Sequence, residues 1–284
     1  MKSETPAPTG LARRGRRLSD QQTEQRMLQA AVAMVSRTGL TVSLDHISFE
    51  DVIRDADVSR SAVYRRWPYK DLFFSDLVKQ LAKDATPTIV EDELELMKQI
   101  VASRPDWLET PEHRYRLLVE MFRQLPLLDF RTMYDSPGWR TYLALHATFM
   151  SLADGVLRDQ VRAALAQSEH AHNARIAQAW RQLTALFGYR LRPELGATFE
   201  ALATLLSATL RGLVVMALST PDIAAHRVEA SPFGATATDE WSLPALGLAG
   251  IASAFLEPDP AVEWDAERIA AVRQALATLA LPGP

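Results

Sequence analysis

The sequence predicts an all-α fold in two parts, a small N-terminal helical unit and a larger helical unit after residue 83. Three observations lead there. Between Ser48 and Lys70, two short helical patterns flank a three-residue turn. Beyond residue 83, every long segment spaces its apolar residues as a helix does, with no strand-like alternation in competition. Prolines and glycines stand between those segments as breakers.

Residues 1–18 lack periodicity and contain Arg13, Arg14, Arg16 and Arg17 around Gly15. Two readings stay open for them. One is a flexible, solvated basic tail. The other is an arm that reaches phosphates or an adjacent minor groove.

Ser48 opens the first short helix as an N-cap, and Asp51 three residues on approximates a capping box. Phe49, Val52, Ile53 and Ala56 supply its apolar side. Ser59 caps the second short helix. Val58 and Val63 point back at the first helix, with Trp67 one turn further on, which leaves Arg60, Ser61, Tyr64 and Arg65 facing outward. Pro68 ends the helix because it has no N–H to donate. Lys70 starts the next pattern, whose buried stripe would be Leu72, Phe73, Leu77, Val78 and Leu81. This is the layout of a helix-turn-helix, whose second helix enters the major groove. On spacing alone, two amphipathic helices of an ordinary helical protein fit as well.

The run Val58-Ser59-Arg60-Ser61-Ala62-Val63-Tyr64-Arg65-Arg66-Trp67-Pro68-Tyr69-Lys70 resembles the signature of the tetracycline-repressor (TetR) family. A Val-Ser pair opens the recognition helix, a Val-Tyr pair follows, then an aromatic and a lysine that begins the fourth helix. Met27, Leu28, Ala30, Ala31, Met34, Val35 and Gly39 are similar to the family's first helix and its glycine stop. The resemblance covers about residues 20–83. Two positions depart from it. Asp57 stands where the turn usually has glycine, and Asp tolerates the left-handed conformation better than most residues. Ile53 stands where a small alanine is usual.

The resemblance implies a domain order: an arm at 1–18, a helix-turn-helix DNA-binding domain at 19–83, and a helical effector-binding and dimerisation domain at 84–284. It implies base-edge contact by Arg60, Ser61 and Ala62, and phosphate contact mainly by Tyr64, Arg65, Arg66 and Lys70. Ser48, at a helix N-terminus, can hold a further phosphate. Partners would be double-stranded operator DNA, a small-molecule effector and a second copy of the chain. The effect of the ligand would be release of a repressor. A DNA-binding regulator with no effector, acting architecturally or through a protein partner, is the alternative.

Charge fits a DNA-binding N-terminal part. The whole chain of 284 residues has a net charge of −4, but residues 1–83 carry 14 Lys/Arg against 10 Asp/Glu, and the rest carry 17 against 25. Only the part facing phosphate needs positive potential. At 48% hydrophobic and 23% charged residues the chain is predicted to build a sizeable core, which excludes a disordered protein. There is no cysteine, so disulfides and thiol redox sensing are excluded. The N-terminus has no apolar signal-like run, and Leu195–Thr220, the longest apolar segment, contains Glu200 and Arg211. A cytoplasmic protein with no membrane contact is the expectation.

In the second part, helical patterns run over about 89–103, 111–125, 137–152, 155–188, 194–219, 243–256 and 262–280, with 220–242 left as a long loop. The segment 194–219 is apolar nearly all round and must be buried on more than one side. Two readings are open, a central core helix or a helix shared with a dimer interface. By the resemblance, 194–219 and 243–256 would form the dimer bundle, through Leu202, Leu206, Leu210, Leu213, Leu246 and Ile251. Aromatics crowd the middle helices, and apolar cavities between helices are common ligand sites. Trp139, Tyr142, His146, Phe149 and Trp180 are the candidates for lining one. Catalysis has no support. His170 and His172 are two residues apart and do not share a helix face. No phosphate loop, nucleophile elbow or dinucleotide fingerprint occurs. No catalytic residue, metal ligand or cofactor is expected.

Overall fold

The computed structural model describes residues 18–39, 47–84, 91–234 and 237–278. Helix α1 (Asp20–Thr38) begins with a full capping box. The Ser19 hydroxyl accepts from the Gln22 amide, and the Gln22 side chain accepts from the Ser19 amide at 2.9 Å. Its apolar stripe, Met27, Ala31 and Val35, packs on α2 (Phe49–Asp55), α3 (Arg60–Arg66) and α4 (Lys70–Asp84). Val52, Val63, Trp67, Phe73 and Leu77 are fully buried between these four helices. Leu72 differs from its expected place in the α4 stripe. It is 49% exposed, because Phe73 takes the buried side and the residue before it lies about 100° round the helix.

Ser48 and Ser59 cap α2 and α3 through the Asp51 and Ala62 amides. Asp51 does not complete a capping box, since its carboxylate pairs with Arg54 at 2.8 Å. Between the two helices Asp57 holds φ at 50°, the left-handed conformation that the turn requires.

The second part is also helical: α5 (Glu91–Ser103), α6 (Pro111–Asp135), α7 (Pro137–Ser151), α8 (Val156–Leu186), α9 (Phe199–Ser219), α10 (Asp222–Ala225), α11 (Leu243–Phe255) and α12 (Ala266–Thr278). Short 3-10 turns occupy Pro105–Leu108 and Pro193–Leu195. Helix α6 corrects the expected break at Pro126. The proline costs one backbone hydrogen bond but is buried, and the helix runs through it to Asp135, 25 residues in all.

Four short strands, β1 (Tyr189–Leu191), β2 (Arg227–Ala230), β3 (Asp239–Ser242) and β4 (Leu256–Pro258), correct the strand-free expectation. β1 and β4 pair antiparallel and tie the end of α8 to the end of α11, with Arg190 bonded to Glu257 at 2.9 Å. β2 and β3 form a hairpin, so 220–242 holds α10 and a hairpin rather than a bare loop. Trp241 anchors that hairpin, buried against Val119 and Phe122 of α6.

Helix α9 packs on α6, α8 and α11. Gly247 of α11 lets it approach closely, because a Cβ there would stand 3.1 Å from Thr209. By length and apolarity α9 meets the requirement for a membrane span, with a mean hydropathy of 1.8. The opposing facts are local: Leu202, Leu206, Leu210 and Val214 are buried in the protein core, and Arg211 and Glu200 are ion-paired.

The two parts share a core. Leu145 of α7 and Val161 and Leu165 of α8 join the cluster built by α1 to α4, and α4 packs against both α7 and α8.

Candidate functional site

Helix α3 is held at both ends while its outer face stays open. The Ser59 cap fixes its start, and Trp67 fixes its end by donating to Asp76 of α4 at 2.9 Å. Asp76 also takes Lys79 at 2.6 Å and Arg66 at 3.5 Å. Burial alone would push the Asp76 carboxyl up; the bonds from Lys79 and Trp67 and the nearby cations outweigh it and hold the carboxyl below its usual range.

Arg60, Ser61, Tyr64, Arg65, Arg66 and Lys70 are all exposed on this face, with Ala62 half-buried beside them and Ser48 exposed at the start of α2. Several of these side chains are engaged by acids of the same domain. Glu50 takes Arg60 at 2.8 Å and the Tyr64 hydroxyl at 3.0 Å. Arg65 pairs with Asp20, and Arg66 with Glu24 at 3.2 Å. Exposed pairs of this kind are worth about 0.2–1 kcal/mol each, so phosphate oxygens can replace the carboxylates at small cost. Sequence reading missed these acidic partners, because Asp20 and Glu24 lie one helix away and come beside α3 only on folding. Arg13, Arg14, Arg16 and Arg17 lie outside the described residues.

A cavity of about 660 Å³ lies within the second part. Helices α5, α6, α7, α8, α9, α11 and α12 and strands β1 and β4 contribute to its wall, which is mostly Leu, Met and aromatic side chains. Its charged groups are Glu93, Asp129 and Arg211, none of which the sequence reading placed at a ligand site. The signal available was faint: Glu93 falls in a predicted helix, but Asp129 lies past the expected break at Pro126, outside every predicted segment.

Of the five aromatic and histidine candidates, Trp139 and Trp180 line the cavity. Tyr142, His146 and Phe149 lie outside its wall. Tyr142 stands behind Trp139, its hydroxyl bonded to Glu169, and burial followed by that bond pushes its ionisation up. Arg211 closes the group, donating to both Glu169 oxygens at 2.8 Å and stacking over Tyr142 at 5.2 Å. His146 packs on Tyr142 at 4.7 Å, and burial lowers its pKa, which favours the neutral ring. Phe149 packs on the core shared with the N-terminal domain and under Arg158.

Leu202, Leu206 and Leu210 are buried against α6 and α7 within one protomer, so they are not open to a second copy. Leu213, Leu246 and Ile251 are half-buried. The open side of α9 carries Ala201, Leu205, Ala208, Gly212 and Val215 instead, at the spacing of one helical stripe.

No family model matches the chain, and no curated protein matches it in sequence. Among solved structures it is similar to full-length native TylP, a TetR regulator from Streptomyces fradiae. The identity is 15%, over 93% of this chain and 95% of that one, with a TM-score of 0.39. A likeness that weak carries no weight for this chain.

Proposed function

We propose that this chain is a sequence-specific DNA-binding regulator of transcription. It acts as a homodimer and is released from a palindromic operator by a small, largely apolar effector. The observation that carries the reading is the outer face of α3: a capped helix packed with α1, α2 and α4, presenting Arg60, Ser61 and Ala62 at its N-terminal end. That end is the one a recognition helix presents to base edges. Arg60 reads guanine through two N–H donors, and the Ala62 methyl packs on a thymine methyl. Tyr64, Arg65, Arg66, Lys70 and Ser48 hold the backbone phosphates on either side.

One short helix spans few base pairs, so useful specificity takes two half-sites and two copies of the chain. The open apolar stripe of α9, with Leu205 at 43% and Val215 at 50% exposure, supports the second copy. The cavity supports the effector, being of a size and apolarity usual for small-molecule sites.

Selection of bound fragments from random duplex DNA tests the reading. The expected outcome is a palindrome with half-sites about 34–36 Å apart, or a multiple of that spacing. Recovery of DNA without sequence preference, or of none, would remove it.

A further inference from the structure

The cavity carries charge as well as apolar surface. Glu93 of α5 and Asp129 of α6 meet on its wall and share a hydrogen bond. Two neighbouring carboxyls away from bulk water cannot both ionise cheaply, because mutual repulsion adds to the cost of burial. Burial and the Asp129 charge push Glu93 well above the ordinary carboxylate range. Burial also raises Asp129, to about 6, against the pull of the Glu93 hydrogen bond and the Arg211 charge. The pair therefore resists losing its second proton, and carries one net negative charge once the first has gone.

Among the described residues that line the cavity, Arg211 is the one Lys or Arg, and it acts on Asp129 only from a distance. Arg211 of α9 spends its charge on Glu169, at 2.8 Å to each oxygen. Tyr189 of β1 is pushed up by burial and stays neutral. His172 of α8 also lines the wall. α7, α11 and α12 contribute Trp139, Leu248, Ala275 and Thr278, none of them charged. An unbalanced buried carboxylate is costly, and a cationic ligand restores the balance. Aromatic faces are at hand: Phe122 and Trp180 stack at 5.7 Å on the wall, with Trp139 on another side.

We propose that the cavity takes an apolar organic monocation, its ammonium group seated at Glu93 and Asp129 and its hydrocarbon part against the aromatic wall. This rests on the effector reading above and names the chemical class of the effector. A cation stabilises the ionised form of the pair, so affinity rises with pH. Below about pH 6, where Asp129 takes up its proton, each pH unit costs up to about tenfold in affinity.

Three probes with a common phenylalkyl tail separate the possibilities: phenylbutyltrimethylammonium, phenylbutanol and phenylbutyrate, titrated calorimetrically into the full chain. The expected result is a cation that binds at least about tenfold tighter than the alcohol near neutral pH, with the advantage shrinking at acid pH. Asp129→Asn combined with Glu93→Gln should erase the advantage and spare alcohol binding, whereas Glu93→Gln alone, which mimics the protonated partner, should keep it. A melting curve reports whether each variant folds, and if the double variant does not, the loss of the advantage at acid pH in the parent chain carries the test. His172→Gln should leave the advantage and its pH dependence in place. Equal binding of cation and alcohol would overturn the charge assignment and leave the cavity as an effector site. So would a preference for phenylbutyrate, or an advantage that survives both carboxyl substitutions. Binding by none of the three probes would overturn both this proposal and the effector reading.

Discussion

Glu50 grips Arg60 and Tyr64 at once, so the residue proposed to read a base is prepositioned by an acid that DNA must displace. Arg60→Ala is expected to cost about 1–3 kcal/mol in operator binding and to relax preference at one base position per half-site. Lys70→Ala should weaken binding to all sequences alike and reduce the salt slope by about 0.9. Competition binding at several salt concentrations reads both effects, and an Arg60→Ala protein with unchanged affinity and preference would mean that α3 docks otherwise. At the turn, Asp57 holds φ at 50°. Asp57→Gly relieves that strain while loosening the unfolded chain, so a change between zero and about 1 kcal/mol of stabilisation is expected. A clear fall in Tm would show instead that the Asp57 side chain makes a needed bond. Glu169 behaves differently. Burial would raise its carboxyl, but the bonds from Tyr142 and Arg211 win and hold it below its usual range. The folded state then binds fewer protons there than the unfolded one. The stability it contributes is present above the ordinary glutamate range and is lost as pH falls through the lowered folded value. Glu169→Gln should remove that part of the acid limb. It should also cost about 1–3 kcal/mol at neutral pH by leaving the Arg211 charge without its carboxylate, as read from denaturant melts across pH.

At the scale of elements, legibility followed the length and period of the signal. The caps at Ser48 and Ser59 and the buried positions Phe49, Val52, Ile53, Ala56, Val63 and Trp67 all follow from local spacing. What the sequence hid depends on distant partners. Strands β1 and β4 are three residues each, too short for alternation to register, and they exist because the chain ends of α8 and α11 meet. Pro126 looks like a stop, yet α6 runs through it, since packing along a 25-residue helix outweighs one lost hydrogen bond. The cavity acids Glu93 and Asp129 lie 36 residues apart on two helices, and only the packing of α5 on α6 brings them together. Helix α9 shows the same limit: its leucines read alike, but the fold buries Leu206 and Leu210 and leaves Leu205 and Val215 open. If that open stripe joins two copies, Leu205→Glu combined with Val215→Glu should turn the dimer into a folded monomer. Light scattering gives the mass and circular dichroism the retained helix content. A mass unchanged from the parent protein would place the dimer contact elsewhere or remove it.

Across the whole molecule, two helices reach from the cavity to the N-terminal four-helix unit. In α7, Trp139 lines the cavity and Leu145 is buried in the core shared with α1 to α4. In α8, His172 and Trp180 line the cavity, and Val161 and Leu165 lie in that same core. Helix α4 rests on both, and Asp76 of α4 fastens the end of α3 through Trp67. A ligand that shifts α7 or α8 therefore moves the base on which α3 stands, without needing any contact with α3. Such a ligand acts only if it binds the DNA-competent and DNA-incompetent arrangements unequally. Half-sites about one helical turn apart tolerate little change in the separation of the two α3 helices. A coupling of about 1–3 kcal/mol would weaken operator binding by roughly 5–150-fold, and operator would weaken ligand binding by the same factor. The measurement is a titration of a confirmed ligand with and without operator DNA. Leu145→Ala and Leu165→Ala, which loosen the shared core away from both sites, should reduce the coupling more than they reduce ligand affinity in the absence of DNA. Equal ligand affinities with and without operator would remove induction, even with ligand binding and DNA binding each established.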